Sequence, residues 1–333
     1  MKLGLIGYGY WGPNLLRNFS ESSDVEVAWC ADQRQARLQL VKRRYPGVKL
    51  TENAQEILND ASVDAVAIAT PVSTHHALAK EALLRGKHVW VEKPLTSSVA
   101  QGEELLELAE KKGLVLMVDH TFVYTGAVRK MKEVLESGEV GDLYYFDSVR
   151  VNLGLFQHDI DVIWDLTPHD FSILTHLIPL TPKFVSATGA DHTGTGMADV
   201  AYVTVSFENE FLAHFHVNWL SPVKIRQILI GGSRRMLMYN DVEPSEKLRV
   251  YDRGVRVTTQ EGIYKVLVDY RTGDMLAPKL ELREALSLAT EHFSECVRAK
   301  KTPITNGMAG LMVVRLLEAA GKSLISNGSK VPV

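Results

Sequence analysis

The first twelve residues constrain this chain more than any other stretch. Lys2-Leu3-Gly4-Leu5-Ile6 reads as a short buried strand, and Gly7-Tyr8-Gly9-Tyr10-Trp11-Gly12 as a glycine-rich turn that opens a helix. A second apolar run, Val25 to Ala31, ends at Asp32, twenty residues after Gly12. Strand, G-x-G-x-x-G turn, helix and a following acid are together the context of a dinucleotide-binding fingerprint. Gly7 permits the tight turn, Gly9 lets the backbone approach a pyrophosphate, and Gly12 lets the helix pack close to the strand. The free N–H groups of that helix then face the phosphates, with Tyr10 and Trp11 beside them. A carboxylate at Asp32 accepts both hydroxyls of an adenosine ribose and repels a 2′-phosphate, so NAD is favoured over NADP. Arg34 and Arg37 stand close by and weaken that exclusion.

A chain of 333 residues is long enough for two domains with separate cores. Its net charge of −3 gives no general attraction to nucleic acid or to an anionic membrane, so an anionic ligand needs a local cluster of cations. Cys30 and Cys296 are too few for a disulfide framework, and Cys30 reads as a small core residue. No stretch reaches the ~20 apolar residues of a membrane span, and the first strand leaves no room for a signal peptide. A cytoplasmic location is expected.

Residues 1–120 alternate apolar strands (2–7, 25–31, 48–50, 64–69, 87–91, 114–118) with helical segments (11–20, 33–44, 53–59, 73–85, 97–112). That alternation predicts βαβ units and a doubly wound parallel sheet of Rossmann type. Asn53, Ser73 and Ser98 are the expected N-caps, and Gly86 and Gly113 the expected helix ends. From 121 to 333 the pattern changes. After a helix at 126–137, strands follow strands at 141–152, 183–192, 199–207, 210–219, 224–231, 235–240 and 247–251. The breaks at Glu208-Asn209, Ser221-Pro222 and Gly231-Gly232 look like hairpins, which predicts an α+β domain with a large, open, mostly antiparallel sheet. One helix, 168–177, interrupts it, and helices near 281–300 and 307–326 close the chain. An open sheet face needs a cover, and a second copy of the chain is the expected one, giving a homodimer or homotetramer.

Two further motifs carry chemistry. Trp90-Val91-Glu92-Lys93-Pro94-Leu95 lies at the carboxyl end of the fifth strand, the edge where ligands of such sheets lie. Pro94 holds Lys93 extended; both a lysine aimed into the crevice and a solvated lysine before a turn fit that position. In Trp164-Asp165-Leu166-Thr167-Pro168-His169-Asp170, Thr167 reads as N-cap, Pro168 as first helical residue and Asp170 as the third. His169 would then sit in the first turn, where the helix dipole keeps an imidazole neutral as a general base requires, with Asp165 close by. A helix-start histidine beside a turn-forming aspartate is the alternative.

These pieces together resemble the Gfo/Idh/MocA oxidoreductases over essentially the whole chain. The matching residues are Gly7-x-Gly9-x-x-Gly12, Ala69-Thr70-Pro71 with His75, Glu92-Lys93-Pro94, and Asp165-x-x-x-His169. The resemblance implies that Lys93, Asp165 and His169 face the nicotinamide and carry the catalysis. It also implies that Thr70, Pro71, His75 and the Glu92-Lys93-Pro94 segment line the cofactor, and that the Lys93–Pro94 bond is cis. The segment His120-Thr121-Phe122-Val123-Tyr124-Thr125 departs from the family's usual Asn or Arg pair, leaving Tyr124 as the substrate contact expected there.

Within the family, Trp11–Phe19, Phe156-Gln157-His158-Asp159 and Trp164–Asp170 look most like the nucleotide-sugar branch. The activity so implied is hydride transfer between nicotinamide and a ring carbon of a nucleotide-linked sugar, often C3. His169 would exchange the hydroxyl proton while the Lys93 ammonium stabilises the same oxygen. Arg150, Lys224 and Arg226, with Asn152 nearby, are the candidates for binding the diphosphate sugar. A free sugar or inositol dehydrogenase, a keto-sugar reductase and a non-catalytic dinucleotide-binding regulator are the alternatives. His158, Asp159 and Asp161 show no metal-ligand spacing, so no metal is expected.

Overall fold

The short apolar runs of the first 120 residues form a six-stranded parallel sheet in the computed structural model, which describes residues 1–154, 160–252, 254–257, 268–271 and 273–333. The strands are β1 (Lys2–Ile6), β2 (Glu26–Ala31), β3 (Lys49–Thr51), β4 (Ala65–Ile68), β5 (His88–Glu92) and β6 (Leu116–Asp119), in the spatial order β3-β2-β1-β4-β5-β6. The order reverses between β1 and β4, so a crevice opens at the carboxyl ends of those two strands. The connecting helices are α1 (Gly12–Glu21), α2 (Gln35–Arg44), α3 (Ala54–Asn59), α4 (Val72–Leu84) and α5 (Val99–Lys112). The central strands are apolar on both faces because helices cover both, and all four residues of β4 are buried. Asn53 and Ser98 cap as expected, accepting from the N–H groups of Gln55 and Gln101. Ser73 does not. Its helix starts one residue earlier, with Pro71 at the cap position, where the fixed φ of proline suits an entry into a helix.

The second sheet has nine strands. They are β7 (Leu143–Leu153), β8 (Pro182–Ala190), β9 (Val200–Phe207), β10 (Leu212–Asn218), β11 (Leu220–Gly232), β12 (Met236–Asn240), β13 (Leu248–Tyr251), and further along β16 (Met275–Leu276) and β17 (Val331–Pro332). Between them in sequence, β14 (Gly254–Val257) and β15 (Val268–Arg271) pair only with each other. All neighbours in the large sheet are antiparallel except β7 and β10. Glu208-Asn209 is a hairpin turn, but Ser221-Pro222 is not. There β7 lies between β10 and β11, and β11 runs irregularly through the Ser-Pro step, with its pairing shifted between Leu220 and Ile225. Gly231-Gly232 likewise falls at the end of β11 and not in the turn that follows it.

Helix α6 (Gly126–Glu136) precedes this sheet, and α7 (Val162–Leu177) packs on one of its faces. Phe171 meets Phe215 edge-on at 4.8 Å, and Phe215 in turn meets Phe146 at 5.6 Å. On the opposite face the alternate positions Tyr145, Tyr202, His214 and His216 are exposed or half-buried. This is the face the sequence expects a second copy to cover.

The chain divides into two units, Met1–Tyr124 with Arg283–Arg315, and Thr125–Leu282 with Leu316–Val333. The expected second domain, 121–333, therefore gives up a segment to the first. Helix α8 (Ala285–Ala299) and the first half of α9 (Gly307–Ile325) supply it. Phe293 of α8 closes a triangle of edge-on rings with Phe19 of α1 and Trp90 of β5, the centroids 5.4 to 6.2 Å apart. Each of these rings is fully buried. Such aromatic pairs contribute roughly 0.5–1.5 kcal/mol each beyond their burial. No helix among the described residues is long and apolar enough to cross a membrane.

Candidate active site

At the carboxyl edge of the parallel sheet the glycines act as the turn requires. Gly7 has φ 100°, and a Cβ there would stand 2.4 Å from the carbonyl oxygen of Ala69. A Cβ at Gly12 would meet the carbonyl of Gly7 at the same distance, so α1 can lie this close to β1 only without a side chain. Gly9 differs, because within 4 Å its missing Cβ would meet just one atom, Nη2 of Arg34 at 3.7 Å. The backbone at Gly9 is thus open on the side where a pyrophosphate would arrive; in the first turn of α1, Pro13 has no N–H and that of Asn14 goes to the carbonyl of Trp11 at 2.9 Å, which leaves the N–H of Gly12 as the helix donor nearest the turn. The residues present fit a dinucleotide. Tyr10 is 85% exposed, while Trp11 turns its indole N–H inward to Oδ2 of Asp119 at 3.1 Å.

Asp32 closes β2 as expected and is buried. It accepts from the N–H of Tyr8 at 2.8 Å and from the N–H, Nε and Nη2 of Arg34 at 2.9, 2.9 and 3.0 Å. Burial pushes its acidity constant upward, but these four donors outweigh burial and hold the carboxyl below its ordinary value.

The Lys93–Pro94 peptide bond is cis. The ring of His75, almost fully buried, lies between two carbonyls, with Nδ1 2.9 Å from the oxygen of Pro94 and Nε2 2.9 Å from that of Thr70. His75 therefore braces the end of β4 against the loop after β5. Burial pushes its imidazole below the ordinary value, and a neutral ring has one N–H, so it donates to one of these two carbonyls at a time. Thr70 and Pro71 stand at the exit of β4, where the Thr70 hydroxyl lies 2.6 Å from that of Thr74.

Glu92 and Asp119 end β5 and β6 in the same register, so their side chains leave the sheet side by side. Asp119 accepts from Trp11 and from the Thr121 hydroxyl at 2.5 Å, and the Glu92 carboxyl bonds to it. Burial first, and the charge of Asp119 second, push Glu92 far above the ordinary carboxyl range. Glu92 thus faces Asp119 in the interior, where burial raises both carboxyls and favours a shared proton between them. The signal for this pair lies in the sequence, where two parallel strands both end in an acid, and aligned carboxyl ends bring the two acids together. His120 follows Asp119. It is buried, neither ring nitrogen has a hydrogen-bond partner among the described residues, and burial with the charge of Lys93 pushes its imidazole down to about 3.

The acid pair makes stability depend on pH. A carboxyl raised in the folded state keeps a proton that the unfolded chain releases, so its contribution is complete at low pH and is lost as pH rises. The slope is at most ~1.4 kcal/mol per pH unit for each such proton. Glu92→Gln keeps a donor for Asp119 without the titration. Thermal melts from about pH 5 to about pH 8 are expected to show a flatter pH dependence for the variant. An unchanged slope would remove Glu92 as its source.

In the second unit, α7 begins earlier than the sequence suggests. Asp161 caps it, its side chain accepting from the N–H of Trp164 at 2.9 Å, and Pro168 lies inside the helix. Thr167, the expected cap, instead donates its hydroxyl to the carbonyl of Ile163 at 2.7 Å. His169 is thus two turns into the helix, beyond the reach of the first-turn dipole. Asp165 falls in the true first turn, where its Oδ2 accepts from the indole of Trp219 at 3.0 Å.

Two of the expected substrate contacts are structural. Arg150 of β7 is buried and grips Asp170 of α7 through two hydrogen bonds of 2.7 and 2.8 Å, because a guanidinium under a helix must carry its own counter-ion. Tyr124 is in the core of the first unit, its hydroxyl 3.3 Å from that of Thr305. Arg226 is half-buried and paired with Asp241 at 3.2 Å. Lys224 is exposed on β11 and Asn152 half-buried on β7. Phe156-Gln157-His158-Asp159 lies outside the described residues. Among those described, no three His, Cys, Asp or Glu side chains are grouped to hold a metal.

Known proteins share these features. Residues 1–120 match the model of an oxidoreductase family with an NAD-binding Rossmann fold, and residues 128–238 match the GFO/IDH/MocA C-terminal domain. The chain is 26% identical to a scyllo-inositol 2-dehydrogenase (NAD(+)) of Bacillus subtilis, over 99% of this chain and 94% of that one. It is 28% identical to a UDP-N-acetylglucosamine 3-dehydrogenase of Acidithiobacillus ferrooxidans, over 94% of each. A solved structure of the latter superposes with a TM-score of 0.83 at 25% identity, covering 98% of both chains.

Proposed function

Because the chain belongs to the GFO/IDH/MocA oxidoreductases and is an NAD-dependent dehydrogenase of that family, we propose that its substrate is a nucleotide-linked sugar, with hydride exchanged at a ring carbinol or ketone, C3 being the favoured carbon. The likeness to the UDP-N-acetylglucosamine 3-dehydrogenase along nearly the whole chain, in sequence and in fold, is the observation that carries this reading.

When bound, NAD supplies the two-electron acceptor or donor. The chain's own residues must do the rest. The turn at Gly9 and the start of α1 bind the pyrophosphate, and Asp32 binds the adenosine ribose. Oxidation of an alcohol releases a proton with the hydride, and we assign its acceptance to the imidazole of His169; reduction returns it. Lys93 hydrogen-bonds the reacting oxygen and stabilises charge that develops on it. Asp165, clamped by Trp219, orients the hydroxyl. The buried Glu92–Asp119 pair lies within electrostatic reach of the Lys93 side chain.

A second reading is favoured by Arg150. Its pairing with Asp170 removes one of the three cations expected to meet a diphosphate, leaving Lys224 and the Asp241-bound Arg226. A free cyclitol needs no such cations, and the similar scyllo-inositol dehydrogenase acts on one. NAD reduction measured against UDP-sugars, dTDP-sugars and free inositols separates the two. Turnover with a nucleotide sugar and not with inositols is expected, and the reverse pattern would replace the first reading with the second.

A further inference from the structure

The contacts of Asp32 leave no place for the ligand it should bind. A carboxylate has about four acceptor positions, two on each oxygen. Here Oδ1 accepts from the N–H and Nε of Arg34, and Oδ2 from the N–H of Tyr8 and Nη2 of Arg34. The two backbone donors are built into the glycine turn and the loop after β2. The other two belong to one guanidinium, and they are unequal partners: the Arg34 side chain is 56% exposed, that of Asp32 only 6%. Arg34 therefore closes a buried carboxylate from outside. Its removal would open one acceptor position on each oxygen, a match for the two hydroxyls of a ribose.

The same guanidinium overhangs the glycine turn, with Nη2 3.7 Å from the missing Cβ of Gly9. Arg34 has five side-chain N–H donors and spends two of them on Asp32, so three remain on its outer side. We propose that Arg34 is a movable counter-ion that adapts one ribose pocket to both forms of the nicotinamide dinucleotide. A ribose with a free 2′-hydroxyl displaces it and donates to Asp32. A ribose with a 2′-phosphate leaves it in place, and its outer N–H groups bind the phosphate while its inner ones neutralise Asp32. Arg34 is in this sense a specificity-determining residue, and Asp32 does not by itself exclude the phosphorylated cofactor. The inference rests on the dinucleotide reading of the fingerprint.

Fluorescence titration of the whole protein with NADH and with NADPH tests both levels without any sugar substrate. The wild-type protein is expected to bind the two within about tenfold of each other, as one cation bridging two anions allows. Arg34→Ala, with Arg34→Gln as a second variant that keeps side-chain volume, is expected to weaken NADPH at least ~30-fold relative to NADH, because Asp32 then faces the 2′-phosphate unscreened. NADH affinity should hold or improve, since a competitor for Asp32 is gone. A change of less than about threefold in the NADPH-to-NADH ratio, in a variant whose melting is normal, overturns the role of Arg34. Wild-type protein that binds NADH and rejects NADPH overturns it as well. Failure to bind either dinucleotide would instead strike the cofactor reading itself.

Discussion

Replacing His169 with alanine is expected to lower turnover by ~10²–10⁴-fold while leaving NADH affinity within about twofold of wild type, the loss typical of a missing general acid–base group. The separation of the two effects is what makes the result informative. The residues proposed to hold the dinucleotide lie in the turn between β1 and α1 and just after β2, in the first unit, whereas His169 is on α7 of the second. Its substitution should not reach the glycine turn or Asp32. The helix should also survive, because α7 is held by Phe171, Leu174 and the Arg150–Asp170 pair, none of which needs the imidazole. An alanine variant with turnover near that of wild type on the substrate found in the sugar panel would withdraw the general-base assignment.

The second large effect concerns stability. Asp170→Ala leaves the Arg150 guanidinium buried under α7 without the carboxylate that grips it at 2.7 and 2.8 Å. Breaking a buried pair from one side costs about 3–5 kcal/mol, chiefly the desolvated charge left behind. For a domain of this size that corresponds to a fall of roughly 10 °C in melting temperature. The double change Arg150→Met with Asp170→Leu removes both charges and fills similar volume, so it should recover most of the loss. Calorimetry of the three proteins provides the check. A single variant that melts within about 1 °C of wild type would mean that water already compensates the pair.

The sequence was most legible where periodicity alone decides. Every strand expected between residues 2 and 118 lies within two residues of an observed one, because strands covered on both faces read as short unbroken apolar runs. The start of α7 was harder. Thr167-Pro168 has the chemistry of a helix start, but Asp161 has it too, and what precedes Pro168 is apolar enough to be carried as helix once packed on β7 and β10. Arg150 was misread for a related reason. On a strand an arginine looks like a solvated or ligand-binding cation, and its partner, twenty residues on, becomes visible only when the side of the sheet covered by α7 is known.

The return of α8 to the first unit was illegible for a different reason. An amphipathic helix declares that it buries one face without declaring against what. The site divides along the same line. The glycine turn and Asp32 are local and could be read from sequence, whereas Asp119 beside Glu92 depends on which strands are neighbours. The roles of Lys93, Asp165 and His169 came from the family resemblance.

The aromatic triangle of Phe19, Trp90 and Phe293 has a consequence for biosynthesis. A nascent chain that has just emerged through Tyr124 already contains all six strands of the nucleotide-binding sheet, but nearly 170 codons remain before the ring that seals Trp90 is translated. Until then a tryptophan and a phenylalanine at the heart of that sheet lack their lid. The amino-terminal half is begun first on the ribosome and completed late, so a frameshift in the 3′ part of the gene would damage the end that was made first.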